Sequence, residues 1–577
     1  MHRISMILAA LLVAALATAA ELRPPEIEIE GLDKELRQNV MLLLSLARER
    51  EDPELTEERL RTLHAAAPAE IRRALEPFGY YRARVDAKLV RDEARWVATY
   101  RVDPGPPLPL AEVELRVTGP GENEPELRSL VEAPLLQPDQ PLEHARYETT
   151  KRDLLDSAIE LGYLDARLVT HELRVDVARY RASALLHLDT GPRYYFGPVS
   201  FEQDFFDPEF LARFVPFKRG EPFSHAALLQ LQAGLNDTEY FQQVEAQPRR
   251  DQALDHEIPI VVALKLRAPN KYTFGIGYGT DTGARGKLGW ERRLINPDGH
   301  RFAAEAELSE IGNELNARYL IPVLDPRTDH VAFTVAKKRE HTITSISDIY
   351  TLGGGLSRAH GDWRESYALN YHSESFATGD DSGDVGLLMP VTSWVYTIAD
   401  DRLRPRRGAR VSLELRGAHE DVVSDLSFWQ VRFGGRAMLP LGERGRLLAR
   451  VDRGYTAASS FEDMPASLRF YAGGSQSVRG FKYQGIGPVN SAGEVIGGSQ
   501  LLVGSIEVEQ RFRTNLGAAV FYDIGKAYND PGEPFQEGAG VGLRYLLPIG
   551  TVRIDVARGL TDPERPWRFH LWIGTYL

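Results

Sequence analysis

Two short stretches hold the residues best placed to do chemistry. Tyr471 to Phe481 runs through two glycines and two serines into Val478, Arg479, Gly480 and Phe481. Arg479 offers a planar, permanently charged fork that can grip a carboxylate at two points. Gly480 lets the chain turn tightly beside it. The second stretch carries Phe521, Asp523 and Gly525 on one strand face, with Val520, Tyr522 and Ile524 on the other. If the apolar trio meets lipid, Asp523 faces inward, where an unpaired carboxylate is costly. The chemistry within reach is therefore non-covalent pairing of Arg479 with Asp523. Catalytic patterns are missing: the chain has no Gly-x-Ser-x-Gly elbow and no His-Glu-x-x-His helix. His341 and His360 read as lone, solvated loop histidines. With zero cysteines, thiolate metal sites, cysteine nucleophiles and disulfides are excluded. No enzyme activity, cofactor or metal is expected.

Elements must hold these residues in place, and composition bounds what those are. The chain has 577 residues, room for about four domains at ~150 residues each. Its 43% hydrophobic and 26% charged residues are ordinary for a folded protein. A net charge of −13 argues against nucleic acid as a partner. Residues 1–20 read as a secretory signal: Arg3, an apolar run from Ile4 to Ala17, then small residues through Ala19. No later stretch approaches 18 uninterrupted apolar residues. The mature chain is thus either soluble outside the cytoplasm or crosses a membrane as a β-barrel.

The grammar changes near residue 268. Before it, one unit repeats. Gly79-Tyr80 and Gly162-Tyr163 each lead from a helix into strands, and Tyr240-Phe241 does so without the glycine. Tyr80 and Tyr163 are 83 residues apart, which predicts three copies of a strand–helix–helix–strand–strand unit over 21–106, 107–192 and 193–268. After it, residues alternate at period two. Tyr272, Phe274, Ile276 and Tyr278 open this half; Phe569, Leu571, Ile573 and Leu577 close it. Sixteen strands can be counted over 269–577, an even number suited to a closed bacterial barrel. Asn296 to Gly299 reads as a short turn. Ala377 to Gly386 and Lys526 to Glu537 read as longer loops, and a much longer one spans about 453–500. Arg402, Arg404, Arg406, Arg407 and Arg410 cluster at a short turn. Glu507 and Glu509, beside Arg511, read as solvated lumen residues.

Val478-Arg479-Gly480-Phe481 resembles the (V/I)-R-G-(F/Y) signature of the BamA/TamA-type outer-membrane assembly superfamily. Phe521, Asp523 and Gly525 are similar to that family's F-x-D-x-G strand; Asp401, Pro405 and Gly408 are similar to its D-x-x-x-P-x-x-G hairpin. The resemblance implies α+β periplasmic POTRA repeats, three of β-α-α-β-β type, then a 16-stranded antiparallel transmembrane β-barrel in the outer membrane of a Gram-negative bacterium. It implies a long loop folded into the lumen and latched by Val478, Arg479, Gly480, Phe481, Phe521, Asp523 and Gly525. Three repeats in a chain of this length resemble the TamA branch. That branch implies a TamB-like inner-membrane-anchored periplasmic partner, unfolded outer-membrane protein clients such as autotransporters, and outer-membrane lipids around the barrel. The implied function is assisted insertion or secretion: POTRA strands capture clients, and a seam opens sideways between the first and last strands. A two-partner-type polypeptide secretion pore and lipid transport across the envelope are the alternatives.

Overall fold

The computed structural model describes residues 24–92, 95–401, 404–547, 550–564 and 566–574. The signal segment 1–20, Arg402 and Leu577 lie outside the described residues. By contact the chain divides into two units. One comprises residues up to 199 with 217–229 and 248–260; the other comprises 200–216, 230–247 and everything from 261.

Three small α/β sheets come first. The first contains β1 (Glu26–Glu30), α1 (Lys34–Leu43), α2 (Ser45–Glu49), α3 (Glu57–Leu75), β2 (Arg84–Asp92) and β3 (Arg95–Asp103), with strand order β1-β3-β2. The third helix departs from the two-helix unit predicted. Capping explains where these helices start: Asp33 accepts from the Leu36 amide, and Thr56 accepts from the Arg59 amide. The apolar faces of α1 and α3 then close over Trp96, Ala98, Tyr100 and Val102 on alternate positions of β3. The second contains β4 (Leu110–Thr118), α4 (Pro125–Glu132), α5 (His144–Glu160), β5 (Arg167–Asp176) and β6 (Arg181–Asp189), ordered β4-β6-β5. The third contains β7 (Tyr195–Glu202), α6 (Pro208–Ala212), α7 (His225–Asn236), β8 (Phe241–Pro248) and β9 (Glu257–Leu266), ordered β7-β9-β8. In the first two sheets the last strand is central, parallel to the first and antiparallel to its hairpin partner.

Sixteen antiparallel strands follow, each paired with its sequence neighbours. They are β10 (Asn270–Gly279), β11 (Gly283–Arg292), β12 (Arg301–Ser309), β13 (Gly312–Pro322), β14 (His330–His341), β15 (Ile346–His360), β16 (Trp363–Thr378) and β17 (Asp381–Ala399). Then come β18 (Gly408–Ala418), β19 (Phe428–Leu441), β20 (Gly445–Ala458), β21 (Gln500–Arg511), β22 (Leu516–Tyr528), β23 (Gln536–Leu547), β24 (Gly550–Gly559) and β25 (Trp567–Gly574). The burial pattern inverts that of a water-soluble core. Phe274, Ile276, Val335, Val520 and Trp567 are exposed outside, while Glu374, Arg479, Glu507, Asp523 and Arg544 are buried within. Such a surface suits a hydrocarbon solvent, with the strands between β10 and β25 each paired on both sides.

The structure corrects several loop assignments. Ala377 to Gly386 is not a long loop: β16 and β17 run on, with Gly379 and Asp380 as the turn. Phe376, Val385 and Leu387 need this extension because they pack on Met464 and Leu468. β22 runs to Tyr528, and β20 to Ala458, so the long loop begins after residue 458 rather than near 453. His341 and His360 are the last residues of β14 and β15, not loop residues.

Candidate functional site: a loop latched inside the barrel

The chain between β20 and β21 leaves the wall and fills the lumen. Arg469 anchors its near end. The guanidinium donates to the carbonyls of Met464, Glu462 and Ile496, and to Asp381 at 2.7 Å. Glu374 accepts from Ser347 Oγ, Ser467 and His372. Farther along, Arg450 of β20 donates to the carbonyls of Gln476 and Ser477. On the first hairpin, Asp281 accepts from the Ser475 amide at 2.8 Å.

The loop tip carries Arg479 into a knot of carboxylates. Its Nε donates to Asp523 Oδ2 at 2.8 Å and its Nη2 to Asp523 Oδ1 at 3.0 Å, a two-point grip. The Arg479 amide also donates to Asp523, at 3.0 Å. Nη1 reaches Glu507 at 2.7 Å and Asp555 at 3.0 Å. The guanidinium carbon lies 3.3 Å from the centre of the Phe521 ring, so the ring supplies a π face as well. Arg544 of β23 then bridges Glu507, Glu509 and Asp555, and Arg446 binds Glu509 at 2.6 Å. Glu507 and Glu509 are therefore buried ion-pair partners, not solvated lumen residues.

Neighbouring residues fix the tip. Gly480 has φ +94°, and a Cβ there would press on the backbone of Arg558 and Gly559. Its amide donates to His570 Nε2 at 3.0 Å, and its carbonyl accepts from Arg568 at 3.0 Å. Val478 is fully buried against Phe470, Ala472, Ile486 and Val503. Phe481 lies on Gly559, and a Cβ on Gly525 would crowd Val478. One feature the sequence reading missed is a glycine wall on β23. A Cβ at Gly538, Gly540 or Gly542 would collide with the Arg479 carbonyl, the Phe521 ring or Asp555 respectively. The signal was present as glycine at every second residue.

At the seam, Tyr272, Phe274, Ile276 and Tyr278 project from β10, and Phe569 and Ile573 from β25. Among the described residues no ladder joins β10 to β25. The Leu571 amide reaches Thr280 Oγ1 at 3.4 Å. Ile276 is 99% exposed. No cluster of three or more potential metal ligands occurs among the described residues.

These features define a POTRA-and-barrel outer-membrane protein. Residues 298–576 match the Omp85 superfamily domain, and residues 26–104 match the POTRA domain described as TamA domain 1. The chain is 23% identical over 385 residues to the outer membrane protein assembly factor BamA of Nitratidesulfovibrio vulgaris, covering 62% of this chain and 48% of that protein. It is 23% identical over 330 residues to BamA of Neorickettsia risticii, covering 52% and 44%. The chain thus spans about half the length of the curated relatives it matches. Its fold matches a crystal structure of Haemophilus ducreyi BamA lacking POTRA domains 1–3 with TM-score 0.69 at 17% identity, over 80% of this chain and 99% of that one. CdiB from Acinetobacter baumannii aligns with TM-score 0.45 at 14% identity, over 81% and 90%. The barrel lies in the outer membrane and the POTRA domains in the periplasm.

Proposed function

We propose that this protein is a TamA-like assembly factor that helps outer-membrane proteins, autotransporters among them, enter the membrane. The observation that carries the reading is the unzipped seam. Among the described residues the β10 edge has no ladder partner, and at bilayer depth each unpaired backbone group costs several kcal/mol. An incoming client strand relieves that cost by pairing with β10, so the edge acts as a template. The latched loop holds the lumen shape while the seam exchanges partners. Exposed edges of the POTRA sheets, β2 and β5 among them, suit main-chain capture of extended clients before insertion. The steps are non-covalent and need no cofactor. A TamB-like periplasmic protein anchored in the inner membrane is the proposed partner, supported by the TamA-type match of residues 26–104.

The absence of native cysteine gives a clean test. Gly279→Cys with Leu571→Cys, oxidised in native membranes, should block client insertion, and reduction should restore it. Full insertion with the bond formed would sink the template reading. Crosslinking in the same membranes should recover a very large periplasm-spanning protein; recovery of one soluble exported protein instead would point to a dedicated secretion pore.

A further inference from the structure

The first barrel strand is bare on its lumen side. Tyr272, Phe274, Ile276 and Tyr278 point outward, so alternation turns Thr273, Gly275, Gly277 and Gly279 inward. Behind this strip, β11 sets Lys287 opposite Gly275 and Arg285 opposite Gly277. Lys287 binds Glu305 at 2.6 Å. Arg285 stands between Gly277 and Ser309, so neither cross-strand neighbour carries a charge. Among the described residues Arg285 makes no hydrogen bond or ion pair. Nearby carboxylates are engaged elsewhere: Asp281 by Ser475, Glu310 by the Ala284 amide and Glu340 by Lys338. Glu307 lies diagonally behind, on β12 and away from the seam, and forms no ion pair with Arg285. Arg285 leans the other way, over β10: a Cβ on Gly277 would sit 2.9 Å from its Nε. There it borders a cleft of about 300 Å³ floored by Gly275 and Gly277. It also borders a lumen cavity of about 530 Å³ shared with Leu571 and Trp572 of β25, across the seam.

We propose that Arg285 is a specificity residue for client strands, favouring an aspartate or glutamate at the lumen-facing position that pairs with Gly277. The inference rests on the template reading of the β10 edge. Paired strands lie about 4.8 Å apart, so a client strand on β10 sits roughly 10 Å from β11. Glycine at 277 leaves that span open, and an arginine and a carboxylate side chain bridge it together. The guanidinium fork then gains the partner it lacks in the resting wall. A lysine at the same client position meets like charge and is disfavoured. Arg285 is exposed to the lumen, so the preference is modest, about two- to fivefold for one acidic residue. Main-chain pairing with β10 accepts any extended strand; the inward charge sorts among them.

The test uses the full chain in phosphatidylcholine nanodiscs, with Thr273→Cys supplying its one thiol. Amphipathic strand peptides, amidated at the C-terminus to remove the terminal carboxylate, each carry one cysteine. A disulfide to position 273 sets the antiparallel register, so the residue four places before the peptide cysteine falls opposite Gly277. In a redox buffer at equilibrium, a glutamate there should raise capture about two- to fivefold over glutamine, with lysine lowest. A glutamate three places before the cysteine, on the lipid side, should give no gain. Adding Arg285→Gln should level the glutamate and glutamine peptides. Adding Arg285→Glu should reverse the order, with lysine captured best, which a merely structural role would not produce. Folding of each variant is checked by its heat-modifiable migration. Equal capture of all three peptides by the Thr273→Cys chain, or a glutamate preference that survives Arg285→Glu, would overturn the role of Arg285 and leave β10 as a template. Failure of every peptide to crosslink would sink the template reading and this inference with it.

Discussion

Arg479 reaches three carboxylates from three strands while stacking on Phe521. Charges this deep lose their hydration, so their worth lies in complete mutual pairing. Removing one member leaves the others stranded. Arg479→Ala should therefore destabilise the closed loop by about 3–5 kcal/mol, read as trypsin cleavage near Lys482 and a lower melting temperature of the heat-modifiable barrel. Asp523→Asn should cost less, because Glu507 and Asp555 still hold the guanidinium. Arg479→Lys should fall between them, since a point charge cannot reproduce the fork. Equal melting and cleavage across all three variants would refute this ordering. The pair could be named because its two stretches resemble the superfamily's signature motifs, with residue type and strand face consistent with the pairing. Glu507, Asp555 and Arg544 could not be assigned to it, because period-two alternation gives the face of a residue and not its height along a tilted barrel strand.

Elements beyond the membrane were the least legible. Hydropathy marks where a strand leaves lipid but not where pairing stops, so β16 and β17 were drawn too short; their ends persist by packing on Met464 and Leu468. Tyr240, just after α7, is joined to the β11–β12 turn through Gly299, and neighbouring Glu239 binds Lys271 at 2.8 Å and Arg293 at 3.0 Å. Burial pushes the Glu239 carboxyl up, but Lys271 and Arg293 outweigh it and hold it below its ordinary 4.5. A lowered carboxylate pKa means stability that is present above about pH 4.5 and lost as pH falls through the folded value. Proteolysis within 230–247 should therefore rise on acidification below pH 4.5. Glu239→Gln should flatten that dependence. An unchanged acid response in this variant would remove Glu239 from the joint.

Across the whole molecule, three α/β repeats and sixteen strands could be read from landmarks at fixed spacing and from alternation, since lipid outside and charge inside enforce a strict two-residue period. The seam between the first and last strands is named through the family resemblance; alternation alone says nothing of which edges meet, since β10 and β25 lie about 300 residues apart in sequence. An edge without ladder bonds should exchange its amide protons readily. In nanodiscs, hydrogen–deuterium exchange over 270–279 should run well ahead of exchange in β16 and β17. Equal protection would mean that the barrel closes on itself in the bilayer.

The glycine wall of β23 also forecasts how this gene tolerates change. In a library of every single substitution, positions 538, 540 and 542 should reject each replacement, down to alanine, because a lone methyl meets the loop or its carboxylate cage. The interleaved Ala539, Val541 and Leu543 should accept most apolar residues. Fitness along this strand would then oscillate with a two-residue beat, and heritable variation there would be confined to the side that touches lipid.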